Sequence, residues 1–119
     1  SARKKSRDAR RISDVKQIQL ALELYFDSQA APAYPATGSE VSGLEGNNCG
    51  GAPCMVKYPK DPLGASYVYE RIDTVSYVLG GTLEEGPTHP VLANDVDGTV
   101  GAINCDDTQP ALARYCVRP

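Results

Sequence analysis

The chain has 119 residues, 41% of them hydrophobic, with no Trp, one Phe and seven Tyr. That is one domain whose modest core rests on Leu, Ile, Val and Tyr. The net charge of -3 conceals a split: Ser1 to Lys16 holds seven basic and two acidic residues, +5, and the remainder holds five basic and thirteen acidic, -8. No apolar run reaches about 18 residues, so these residues contain neither a spanning helix nor a signal peptide, and the acidic body argues against nucleic acid as a partner of the basic arm.

Residues 8–29, DARRISDVKQIQLALELYFDSQ, lie in the longest run free of Gly and Pro. Ile12, Val15, Ile18, Leu22, Tyr25 and Phe26 step by three or four, which predicts one face of an α-helix, and Leu20, Ala21 and Leu24 widen that stripe toward a folded body. Arg11, Asp14, Lys16, Gln17 and Glu23 are assigned to the wet side. The preceding residues are good helix formers, so the helix is expected to run from about Ala2 to Ser28, roughly 40 Å. Its first third carries Arg3, Lys4, Lys5, Arg7, Arg10 and Arg11 and is expected to project as a bare basic stem, kept from its own acidic body by the helix geometry. The stem's charge is then available to acidic surface on neighbouring subunits, and these six residues are the candidate assembly interface. Such a stem and a Ser at position 1 lead to the expectation of a processed or shortened start.

Pro32 and Pro35 stop the helix. Residues 37–53, TGSEVSGLEGNNCGGAP, have loop composition, and KYPKDPLG after them follows an extended and turning path. Residues 66–72 (SYVYERI) and 75–83 (VSYVLGGTL) alternate as strands do, joined by a short connection, and predict an antiparallel hairpin covering the helix stripe. Gly80 and Gly81 are expected to mark a bulge or the end of pairing. A third strand is expected near Thr99 to Asn104 or near Leu112 to Val117, in an otherwise irregular tail. The layout is thus stem 1–29, connecting loop 30–65, hairpin 66–83 and tail 84–119: an α+β domain with a long N-terminal helix on a small antiparallel sheet.

Four cysteines allow three pairings. Local pairing, Cys49 with Cys54 and Cys105 with Cys116, closes the segments that composition marks as irregular, and implies an oxidising compartment. Zinc is the alternative, with zinc-knuckle spacing in the first pair alone and His89 as the sole histidine. A calcium site is expected in the acidic tail, at Asp95 and Asp97 with Asp106 or Asp107, because carboxylates two apart before Gly98 can reach one ion. The register around Gly98 does not fit an EF-hand. His89, Glu84 with Glu85, and Asp106 with Asp107 are the conceivable catalytic groups, but no pattern joins them to a nucleophile and no enzyme activity is expected.

The run DARRISDVKQIQLALELYFDSQ, the YP that follows, and YPKDPLGASYVYE together resemble the soluble part of type IV pilin-like proteins, most closely the major pseudopilins of type II secretion systems, up to about Leu83. The resemblance implies a pilin-like fold and a structural subunit of a helical fibre, built from copies of itself and related pilins by inner-membrane assembly machinery. It implies an apolar half-helix before the stem that anchors the subunit in the inner membrane before assembly, and an extracytoplasmic body. Calcium in the loop after the hairpin is a further implication. The alternative from another class is a secreted binding module with disulfide-pinned loops.

Overall fold

The computed structural model describes residues 2–37, 41, 43–46, 48–86, 89–93, 95–101, 103–105 and 113–119. Helix α1 (Ala2–Ser28) is unbroken over its 27 residues, as the absence of Gly and Pro predicts. Its buried positions are Asp8, Arg11, Asp14, Val15, Ile18, Ala21 and Leu22, a three-and-four stepping that lies on one face. The expected stripe was turned too far around the helix. Arg11 and Asp14, assigned to water, are 2% and 7% exposed, whereas Leu20 and Leu24, assigned to the body, are 63% and 47% exposed. The register 8-11-15-18-22 continues the buried face into charged residues because the body meets that end with carboxylates and amides. At the other end the Ser28 hydroxyl donates to the Tyr25 carbonyl and the Gln29 amide to the Asn48 carbonyl, tying the last turn to the loop.

Strands β1 (Val68–Asp73), β2 (Ser76–Thr82) and β5 (Arg114–Val117) form an antiparallel sheet in the order β1-β2-β5. The second of the two tail segments therefore supplies the third strand. The first forms a separate small pair, β3 (Thr99–Val100) with β4 (Ile103–Asn104). Alternation divides the sheet's two faces. Tyr67, Tyr77, Leu79 and Tyr115 pack with Val15, Ile18 and Leu22 of α1, and Val78 and Cys116 pack on the far side with Ile103 and Cys105. The order is helix, sheet, then a tail layer held by Cys105–Cys116. Both local disulfides are formed, Cys49–Cys54 and Cys105–Cys116.

Gly80 and Gly81 are not a bulge; the β1–β2 pairing does end there, at Gly80 opposite Val68, while β2 goes on pairing with β5 through Thr82. Gly80 pairs with Val68 and Cys116, and Gly81 with Tyr115; the irregularity in β1 falls between Arg71 and Asp73. The glycines also answer close approach. A Cβ on Gly80 would sit 2.9 Å from the Tyr115 carbonyl oxygen and 3.0 Å from the Cys116 sulfur, and one on Gly81 would sit 2.9 Å from the Tyr67 ring. In the Gly-rich loop, a one-turn 3-10 helix (Gly43–Glu45) places Leu44 wholly inside the core. The Leu44 carbonyl accepts the amides of Cys54 and Met55, so the first disulfide hangs from a core anchor.

Candidate functional site

The first three turns of α1 and two loops of the body build a cluster of five charged side chains. Arg11 is its centre. Its guanidinium donates through Nε and Nη2 to both oxygens of Asp61 at 2.5 and 3.0 Å, and through Nη1 to Asp8 at 2.8 Å and to Glu84 at 2.6 Å. One turn earlier Arg7 grips Glu84 with Nε and Nη2, at 2.5 and 2.8 Å. This planar fork-on-carboxylate geometry is what arginine provides and lysine does not. Asp8, wholly buried, also accepts the backbone amides of Glu84 and Glu85, each at 2.9 Å. Three carboxylates thus face two guanidiniums, and two amide dipoles supply further compensation. A turn further on, the Tyr67 hydroxyl donates to Asp14 at 2.7 Å.

Each partner is held by local chain geometry. Asp61 opens the PKDPLG turn, in which its own carboxylate accepts the Leu63 amide and its carbonyl the Gly64 amide. The left-handed conformation of Gly64, φ 94°, closes that turn. Glu84 follows β2 directly, after Leu83 bonds back to Ala113. The separation of stem from body expected from helix geometry is therefore overturned at Arg7 and Arg11, whose charge is met within the chain. Of the other candidate assembly residues, Arg3, Lys4 and Lys5 are exposed, and Arg10 is exposed with its guanidinium 3.7 Å from Asp14.

These contacts perturb the acids. The hydrogen bonds from Arg7 and then Arg11 hold Glu84 down at about 2, and the Arg11 hydrogen bond lowers Asp61. A carboxylate whose folded value lies below its unfolded value contributes stability that is present above the unfolded value and lost as pH falls through the folded one. The unfolded values are 4.5 and 3.8, so the urea midpoint should hold above about pH 5 and fall steadily toward about pH 2. Glu84→Gln should start lower and show a shallower acid slope. An unchanged slope in that variant would exclude Glu84 as a source of the acid response.

The candidate calcium ligands are not gathered into one set among the described residues. Asp95 accepts the Cys116 amide at 3.0 Å, Asp97 is exposed beside Gly98 (φ 80°), and Asp106 and Asp107 lie outside the described residues. Hard oxygen donors beside a tight turn suit calcium, and Asp95 spends Oδ2, not Oδ1, on its bond to β5. A different group converges: Asp8, Glu85 and His89 present ligand atoms within 4.8 Å of one another. Its existing bonds do not suit a metal. Asp8 already serves Arg11 and two amides, and His89 Nδ1 accepts the Val91 amide, which leaves the neutral ring's proton on Nε2 and makes that atom a donor. Glu84 holds arginines rather than lining a cleft. A hollow of about 290 Å³ lies between Val41, Tyr58, Pro59, Tyr67 and Tyr69, where two tyrosine hydroxyls are committed elsewhere, to Asp14 and to the Pro35 carbonyl.

No protein-family model matches the chain, and no curated protein shows significant similarity to it. The two disulfides fit an oxidising, extracytoplasmic location. Among the described residues no helix is long and apolar enough to cross a membrane.

Proposed function

We propose that the chain is the body of a pilin-like subunit, a structural element of a type IV pilus-like or type II secretion pseudopilus fibre. The observation that carries this reading is one continuous helix, Ala2–Ser28, whose first turn is exposed while the rest lies along a small antiparallel sheet. A helix built this way can enter the body from a shared fibre centre without a hinge. On this reading the partners are copies of the chain, related pilins and the inner-membrane machinery that adds them, and Arg3, Lys4, Lys5 and Arg10 are the stem charges offered to acidic surface on a neighbour. Exposed pairs contribute about 0 to 1 kcal/mol each and are screened by salt, so they set register more than affinity.

The test is the coding sequence upstream of Ser1 together with imaging of the whole product. About 20 apolar residues behind a short basic leader, and fibres that fail or change when Arg3, Lys4 and Lys5 become Glu, are expected. Hydrophilic coding sequence there would sink the reading.

The reading carries calcium in the tail with it, at Asp95 and Asp97 with Asp106 or Asp107. Binding to the folded state alone raises stability with free ion. The thermal midpoint in millimolar calcium should therefore exceed that in chelator, and Asp97→Asn should remove the difference. Equal midpoints and no heat of binding would remove the ion from the proposal.

A further inference from the structure

Leu20 and Leu24 stand one turn apart on the outer flank of α1, 63% and 47% exposed, and Val56 beside them is 98% exposed. They border a groove between the helix and the first disulfide loop. One stretch, of about 400 Å³, runs between Gln17, Leu20 and Ala21 on the helix and Cys54, Met55 and Val56 on the loop. The next, of about 360 Å³, continues past Leu24, exposed Asp27 and Ser28 to Cys49 and Pro53. Lys57 lines the first stretch, Lys16 flanks it across Leu20, and among the described residues neither lysine forms an ion pair. A contiguous apolar trough with a positive end marks a contact surface.

Among the described residues the other exposed large apolar side chains are Leu63, Ile72 and Val75. Leu63 projects from a turn whose acid, Asp61, is consumed by Arg11 and whose remaining charge is exposed Lys60, so it would bring like charge to the groove. Ile72 and Val75 flank exposed Asp73 at the tip of the β1–β2 hairpin, and Arg71 is turned inward to the Tyr34 carbonyl. The tip therefore offers an apolar knob with one carboxylate, which keeps one oxygen beyond its bond to the Val75 amide and complements the end of the groove that carries two ammonium groups, away from Asp27 at the other end. The tip belongs to the sheet on the helix's buried face and is fastened to Tyr34, beyond the helix end. The groove lies between the helix and the first disulfide loop and none of the tip's residues lines it, so a copy does not fill its own.

We infer that the hairpin tip of one copy, Ile72, Asp73 and Val75, docks into the groove of a second copy at Leu20, Leu24 and Val56, with Asp73 between Lys16 and Lys57. The choice of a second copy as occupant rests on the fibre reading. Tip and groove are different surfaces, so the contact is heterologous and propagates into an open chain rather than stopping at a dimer.

Sedimentation of this chain up to about 1 mM tests the inference. The average mass should rise with concentration without levelling at two copies, and should fall with added salt. Val56→Asp and Val75→Asp, both at exposed positions, should each weaken association about tenfold or more while leaving the thermal midpoint in place. Mixed in equal amounts they should form a 1:1 complex and nothing larger, since one contributes the intact groove and the other the intact tip. Leu63→Asp should associate as the unmodified chain does. A monomeric unmodified chain, variants that associate normally, or a mixture that stays monomeric would each overturn the inference. None of these results alters the upstream coding sequence, on which the fibre reading stands or falls by itself.

Discussion

Arg11→Met should destabilise the fold by about 3–5 kcal/mol, because it strips the cation from three carboxylates whose surroundings were built around it. The Arg11 side chain is 3% exposed and Asp8 beside it 0%. Water does not replace what the guanidinium gave. For a domain of this size that cost lowers the thermal midpoint by more than about 10 °C. Arg11→Lys should fall between, since an ammonium keeps the charge but does not bridge Asp61, Asp8 and Glu84 at fixed angles. Adding Asp8→Asn and Glu84→Gln to Arg11→Met should recover part of the loss, because the penalty lies in the uncompensated acids and the sites are coupled. Urea denaturation of the four proteins checks this. A cost of Arg11→Met below about 1 kcal/mol would show that the cluster is wet and contributes no more than a surface pair.

Removing Cys105–Cys116 should cost more than removing Cys49–Cys54. The loops they close differ, with separations of 11 and 5 residues, and chain entropy alone assigns them roughly 3 and 2 kcal/mol. Packing widens the gap. Cys105 and Cys116 are both wholly buried against Val78 and Ile103, and Cys116 lies in β5, whose partner is Gly80. Paired alanines at 105 and 116 therefore leave a void under the sheet as well as a longer loose chain, whereas Cys49 is only half buried. Equilibrium unfolding of the two double-alanine variants should rank them in that order, and a reversed rank would mean that the tail layer adds little to the sheet.

What could be read from the chain was what local pattern controls. The helix bounds and the hairpin follow from residues within a few positions of one another, where stepping, alternation and turn composition act, and the disulfides, 5 and 11 residues apart, follow local pairing. The charge cluster does not. Arg11 meets Asp61 fifty positions away and Glu84 seventy-three positions away, and nothing near Arg11 announces either partner. One signal was present: positions 8 and 11 continue the register 15-18-22, and a charged residue in core register asks for a distant counterion. Leu44 was hidden for the same reason, a lone apolar residue in a Gly-rich loop that only tertiary contact makes part of the core. Gly80 and Gly81 looked like punctuation because glycine usually is; here the neighbour's carbonyl and ring decided the residue type.

The attachment of α1 to the body has a mechanical consequence. Apolar contact is non-directional, so under a pull along the helix axis the Val15, Ile18 and Leu22 stripe can slip by small steps, trading one contact for another. The fork of Arg11 on Asp61 and Glu84 has fixed angles and joins the helix, ahead of that stripe, to two loops of the body. Tension entering from the stem therefore passes into the sheet through β2 and the Asp61 turn before the apolar stripe feels it. Single-molecule extension from the N-terminus should show a rupture force that drops in Arg11→Met even where solvent conditions keep both proteins folded, which would make the cluster the coupling through which the body bears strain.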